Sequence, residues 1–306
     1  MISSNQWLDR ILQADPPRAK SLVMTIFGDA IVPHGGRLWL GSLIELVEPL
    51  GVTDRLVRTS VFRLVQDGWL VASREGRRSS YALEPAAQPR FARANRRIYA
   101  PPGLDWNGRW TLLMAPNGSI DAGLRAAVRK ELEWEGYAML APSLLVHPAA
   151  DADSLAEMLA RVDGAGKVFV CSATELPGVG ARPLGELVRE GWNLDGVVDG
   201  WRRFIDDFTP LLALLQDGAA PAPQAAFAMR SLLIHAYRRA QLHDPMLPLA
   251  LLPQPWPGSD AYALAQAIYR LLWAPAEQHL MEVLRREDNG APSADTAFHK
   301  RFGGLK

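Results

Sequence analysis

Ten arginines stand between Val52 and Ala100 against four acids, Asp54, Asp67, Glu75 and Glu84. The chain as a whole is neutral, with 33 basic and 33 acidic residues, so this stretch is a local cationic surplus. A basic segment on a neutral protein is the footprint of a localised polyanion contact. The spacing sharpens that reading. At 100° per residue, Val57, Val61 and Leu64 share one face of a helix. The opposite face centres on Arg55, Thr59, Phe62 and Gln66, with Arg58 and Arg63 on its flanks. A guanidinium pairs bidentately with guanine and a carboxamide with adenine, so this face suits a major groove. Arg74, Arg77 and Arg78 surround a Glu75-Gly76 turn, where phosphate contacts are expected. Arg93, Arg96 and Arg97 continue the basic strip. Phe62 is the odd member. An aromatic ring there could meet a thymine methyl, but packing on a neighbouring element is the expectation.

Other chemistry is thin. His235 and His243 lie eight residues apart, about 12 Å of helical rise. That is too far to share one ion through bonds of about 2 Å. His147 reads as a hydrogen-bonding group at a strand end. Glu131, Glu133 and Glu135, beside Arg129 and Lys130, read as a solvated helix face. There is no glycine-rich phosphate loop with lysine, no Gly-x-Ser-x-Gly and no clustered His/carboxylate pair. No catalytic residue, metal ligand or cofactor is assigned, and an enzyme is not expected. Cys171 is the sole cysteine, which excludes a disulfide framework within the chain and fits a reducing compartment. It is read as core packing in a strand. No stretch approaches the ~20 apolar residues of a membrane span. A cytoplasmic protein off the membrane is expected.

The elements that would position the arginines follow in order. Leu22, Val23, Ile26 and Phe27 mark one helix, which His34-Gly35-Gly36 breaks. A second carries Leu40, Leu43, Ile44, Val47 and Leu50, and Gly51 stops it. Thr53 is a suitable N-cap for the third, which ends at Gly68. Leu70 to Arg74 and Arg78 to Leu83 then form a hairpin. Three helices and a hairpin make a winged helix-turn-helix, placed at residues 1–100. Residues 101–180 alternate strand and helix: Arg109 to Ala115, Asp121 to Glu135, an extended run from Ala138 to His147, Ser154 to Val162, and Lys167 to Ser172. That order predicts a ferredoxin-like α/β sandwich. Residues 181–306 are mostly helical, near Pro183–Gly191, Val197–Leu215, Gln224–Leu242 and Asp260–Arg286, with a proline-rich connector before the last. The fold class is α+β.

The middle segment resembles the small CRISPR-associated Cas2 nuclease fold, whose members use an acid at the end of the first strand. Here that strand ends Met114-Ala115-Pro116-Asn117, with no acid, so a structural or dimer-forming role is expected.

A wider resemblance rests on Trp39-Leu40-Gly41-Ser42-Leu43, Val57-Arg58-Thr59-Ser60-Val61-Phe62-Arg63-Leu64 and Asp67-Gly68-Trp69-Leu70. It continues through Ala141-Pro142-Ser143-Leu144, Leu233-Ile234-His235-Ala236-Tyr237-Arg238-Arg239, Asp244-Pro245-Met246-Leu247-Pro248 and Arg301-Phe302-Gly303-Gly304-Leu305. With these blocks the chain resembles the PaaX family of phenylacetic acid degradation repressors over nearly its whole length. The resemblance implies a homodimer on a partly palindromic double-stranded operator. It also implies an aryl-coenzyme A effector, phenylacetyl-coenzyme A, that lowers operator affinity. Such a thioester needs cations for its phosphates and an apolar slot for its aryl group. Trp201, Arg202, Arg203, Tyr237, Arg238 and Arg239 are the candidates, against a simpler reading of each as ion pairing or core packing. Two other readings stand beside this one: a regulator sensing a different aryl-coenzyme A or aromatic acid, and an enzyme acting on a coenzyme A ester with a DNA-targeting module.

Overall fold

The computed structural model describes residues 3–305 apart from Leu104, Asn117, Pro177, Gly180, Ala181 and Ala219. The side chains of Arg90 and Arg93 also lie outside the described residues. Two antiparallel sheets and a larger set of helices make the chain α+β. Packing divides it into two compact units. One comprises Met1–Pro101, Arg202–Ala240 and Ser259–Lys306; the other comprises Pro102–Trp201 and Gln241–Gly258. The C-terminal segment is therefore divided between the two units.

The first unit opens with a helix that the sequence reading passed over. Helix α1 (Ser4–Ala14) is held by a capping box, in which Ser3 Oγ accepts from the Gln6 amide and Gln6 reaches back to the Ser3 amide. It buries Trp7, whose indole N–H donates to the Asp207 carbonyl at 3.2 Å and whose ring meets Phe208 edge-on. Helix α2 (Ala19–Ile26) follows and runs into a π-helical turn at Phe27–Ile31. Short strand β1 (Arg37–Trp39) leads to α3 (Leu40–Val47), and Gly51 closes it in the left-handed region at φ 75°. Helix α4 (Asp54–Gln66) buries Val57, Val61 and Leu64 as the periodicity requires, and packs on α2. Thr53 has the extended backbone of an N-cap, but its hydroxyl makes no capping bond; Asp54 in the first turn complements the helix dipole instead. Strands β2 (Leu70–Glu75) and β3 (Arg78–Leu83) form the hairpin, and β1 adds to it in the order β1-β3-β2. Helix, helix, helix and hairpin occur in the order of a winged helix-turn-helix.

Helix α5 (Gln88–Tyr99), the segment expected to continue the basic strip, buries Phe91, Ile98 and Tyr99. Arg96 is exposed on it, Arg97 is half-buried, and the side chain of Arg93 is outside the described residues.

In the second unit, strand β4 (Arg109–Met114), helix α6 (Ala122–Trp134), strands β5 (Ala138–Ala141) and β6 (Leu144–His147), helix α7 (Ala152–Arg161) and strand β7 (Phe169–Thr174) follow one another. The single extended run of the sequence is thus two strands turning at Pro142-Ser143. Sheet order is β5-β6-β4-β7, all antiparallel, which is the ferredoxin-like arrangement expected. Leu113, Val128, Leu132, Leu145, Met158 and Leu159 form a core between the sheet and both helices. His147 ends β6 buried, and its Nδ1 accepts from the Ala149 amide at 3.0 Å, the role read for it. Glu133 pairs with Arg129 and Glu131 with Arg161 on the exposed helix face. Cys171 is not core. It lies half-exposed on β7, the last strand of the sheet, where neighbouring Phe169 and Val170 are exposed too.

The remaining helices are α8 (Leu184–Gly191), α9 (Leu194–Asp217), α10 (Pro223–Gln241), α11 (Pro257–Glu287) and short α12 (Thr296–His299). Within the first unit, α10, α11 and the tail surround a buried ionic cluster. Asp29 Oδ1 accepts from the Tyr99 hydroxyl at 2.7 Å, the Tyr269 hydroxyl at 2.9 Å and Arg301 Nη1 at 3.1 Å. Its Oδ2 lies 3.0 Å from Arg230 Nε, and Arg230 also donates to Glu277 at 2.7 Å. His34 is 2.9 Å from the other Glu277 oxygen. Burial alone would raise the Glu277 pKa, but His34 and Arg230 hold it down at about 2. Phe302 is completely buried at φ 49°, an uncommon conformation for a bulky residue, and stacks its edges on Tyr99, Tyr262 and Tyr269. The tail is therefore docked core.

Candidate nucleic-acid interface

Helix α4 presents its cationic face to solvent because the opposite face is anchored. With Val57, Ser60, Val61 and Leu64 turned inward, Arg55, Arg58, Thr59, Phe62, Arg63 and Gln66 are all exposed. The structure brings these predicted residues onto one surface. Arg55, Arg63 and Gln66 side chains have no hydrogen-bond or ion-pair partner among the described residues. Arg58 is partly engaged, its Nε lying 2.6 Å from Asp54 one turn earlier. Thr59 Oγ1 donates to the Arg55 carbonyl at 2.9 Å, which fixes the hydroxyl with its lone pairs outward. Phe62 is 61% exposed, and no ring or cation contact engages it among the described residues, where packing on a neighbouring element was expected.

The hairpin arginines have three different surroundings. Arg77 has no partner among the described residues. Arg74 Nε donates to the Gly76 carbonyl at 3.2 Å and curls around the turn that Gly76 makes at φ 60°. Arg78 is held. Its guanidinium lies 4.2 Å over the Trp39 ring, while Nη2 donates to Glu287 Oε2 at 2.6 Å and to the Glu287 carbonyl at 3.3 Å. Sequence reasoning could not find Glu287, because it lies 209 residues away at the end of α11. Arg286 next to it reaches Glu45 of α3 at 2.7 Å, so α11 grips the winged helix at two points.

The six residues considered for an effector have different surroundings. Trp201 is buried in the second unit and donates to Asp244 Oδ2 at 2.8 Å. Tyr237 is buried in the first unit against Phe204 and Phe302. Arg238 donates to Thr25 Oγ1 at 3.3 Å and to the Ser21 carbonyl at 3.5 Å, and burial lowers its pKa. Arg239 pairs with Asp15 at 2.6 Å. These two arginines tie α10 to α1 and α2. Arg202 and Arg203 are exposed on α9. His235, on α10, lies 3.2 Å from Thr25 Oγ1; burial first, then Arg239 and Arg238, push its pKa down to about 4. It is neutral at pH 7, and the described residues hold no group of three side chains suited to a metal ion.

Comparison with known proteins agrees with this architecture in three blocks. Residues 18–87 match the family described as PaaX-like protein. Residues 103–183 match the PaaX protein central Cas2-like domain, and residues 192–282 the PaaX-like protein C-terminal domain. The chain is 35% identical to "Transcriptional repressor PaaX" of Escherichia coli (strain K12), across 100% of this chain and 96% of that one. A solved structure of an uncharacterized protein from Mycobacterium tuberculosis is 25% identical, covering 77% of this chain and 90% of that one, with a TM-score of 0.47. On the three family matches and the 35% identity to the E. coli repressor, the chain belongs to the PaaX family.

Proposed function

We propose that this protein is a transcriptional repressor of phenylacetate or related aromatic catabolic genes that binds operator DNA and is released by phenylacetyl-coenzyme A. The observation that carries the DNA-binding part is the face of α4: Arg55, Arg63 and Gln66 are exposed and without partners among the described residues, on a helix seated by Val57, Val61 and Leu64. Donors in that state are positioned for base edges without first breaking a bond. Arg74 and Arg77 at the hairpin tip supply phosphate contacts, which fix register and orientation. A second copy of the chain would place a second α4 on the other half of a palindromic site.

The repressor role follows the named E. coli relative, whose length this chain matches almost end to end. The thioester part follows the family resemblance. A ligand shifts operator affinity only by binding the two conformations unequally. The distribution of Trp201, Tyr237, Arg238 and Arg239 into packing roles favours Arg202 and Arg203 as the members of that group open to a ligand.

The test is a gel-shift titration of the purified protein on the DNA upstream of its own gene, at fixed salt, with and without phenylacetyl-coenzyme A. Sequence-specific binding that only the thioester releases supports both parts. Specific binding that the thioester leaves unchanged keeps the repressor and removes this effector. Absence of specific binding removes the repressor.

A further inference from the structure

Phe62 has no structural occupation. It lies at the middle of the exposed α4 face, with Arg58 and Gln66 one turn away on either side and Thr59 three residues before it. It is 61% exposed, and no ring or cation of the described residues engages it. The buried side of α4 is already complete without it. A large apolar side chain in that position contributes nothing to the fold and exposes a ring to water on an otherwise polar, cationic surface.

Its neighbours say what would cover it. Arg55, Arg58 and Arg63 make the surrounding surface attractive to a polyanion and hostile to an apolar protein partner or a lipid tail. Within duplex DNA the major groove offers one apolar group, the C5-methyl of thymine, and Phe is one of the side chains that meets it. We infer that Phe62 is a specificity-determining residue that reads a thymine methyl in the operator, flanked by the hydrogen-bonding Arg55 and Gln66. This rests on the DNA-binding reading above and adds to it a base identity at one step of each half-site. The contact is a burial of one methyl group, worth about 0.8 kcal/mol or roughly fourfold in affinity.

The experiment uses the full chain and synthetic duplexes spanning the segment it protects upstream of its own gene. Thymidine is replaced one position at a time by deoxyuridine, which pairs identically and lacks only the methyl. The expected result is roughly fourfold weaker binding at one thymine per half-site and none elsewhere. Phe62→Ala should bind the thymine and uracil duplexes equally, with its thermal unfolding little changed because the ring is mostly exposed. Leu56→Ala is the control: Leu56 is 50% exposed on the same helix, but well around from Phe62, and its removal should leave the discrimination intact.

If wild-type protein binds specifically but no uracil substitution matters, the inference is wrong and the repressor reading stands. If Phe62→Ala weakens thymine and uracil duplexes to the same degree and keeps their ratio, Phe62 does not read the methyl. If wild-type protein shows no specific binding, both fall together.

Discussion

Arginines on α4 and arginines on α10 occupy opposite situations. On α10, Arg230 is fully buried against Asp29 and Glu277, Arg238 reaches Thr25, and Arg239 pairs with Asp15. On α4, Arg55 and Arg63 project into solvent with no partner among the described residues. The residue type is the same, and the sequence motif on α10 is as basic as the one on α4. What separates them is the neighbouring element. Helix α10 faces α1, α2 and the π-turn, whose acids and carbonyls take its guanidinium groups. Helix α4 has used its inner face on α2, and its outer one is exposed. A paired arginine is part of the fold; an unpaired one is available to a ligand.

Four measurements would break or sharpen that contrast. The largest effect should come from Asp29→Ala. It removes the carboxylate that Arg301 faces and leaves Arg230 with Glu277 alone, a loss of about 3–5 kcal/mol in denaturant unfolding. A loss below about 1 kcal/mol would mean the cluster is not part of the fold's stability. Next is pH. The folded-state pKa of His235 is about 4, below its ordinary 6.5, so the folded state binds fewer protons than the unfolded chain between those values. Its contribution is complete above pH 6.5 and declines as the pH falls towards 4, by roughly 1–3 kcal/mol. Glu277, held at about 2, adds a second decline below its ordinary 4.5. His235→Gln should flatten the upper part of the stability curve and leave the lower part; an unaltered upper slope would assign the pH dependence to other groups.

On the α4 side the effects move from folding to binding. Arg55→Ala should weaken specific operator binding by about 1–3 kcal/mol, most of it at one base position. It should change unfolding by less than about 0.5 kcal/mol. A destabilised variant would show that Arg55 belongs with the α10 group after all. The smallest effect should come from Glu287→Gln. It frees Arg78 from an exposed pair worth about 0–1 kcal/mol, and should raise DNA affinity by no more than a few-fold at low salt. Weaker DNA binding would show instead that Glu287 holds Arg78 in its working position.

The sequence carried the local part of this picture. Apolar spacing in Val57, Val61 and Leu64 defined the seated face of α4, and the strand-helix alternation after residue 106 pointed to the ferredoxin-like sandwich, although its extended run over 138–147 is two strands and the sheet order came from the structure. The Ser3-x-x-Gln6 signal of α1 was present but unread. What composition and period cannot show is the partner across the chain. Arg78 is held by Glu287, Asp29 by Arg301, and Trp7 by Asp207. Each separation exceeds any periodic window, so Arg238 and Arg239 look like a cationic site until α1 and α2 are seen beside them. Phe62 failed in the other direction, since an aromatic residue is usually covered and this one is not.

The tail carries a consequence for how the protein comes into being. Asp29 and Arg301 are 272 residues apart, and Phe302 fills the core beside them. At about 5–20 residues per second of synthesis, tens of seconds pass between the emergence of the first partner and the second. Through that interval the nascent winged helix has a buried aspartate lacking one of its counter-ions and a vacant aromatic socket. A chain cut short upstream of residue 296 should therefore be soft in its N-terminal third and open to proteases. A cell that translates an interrupted message should degrade such a fragment before it accumulates.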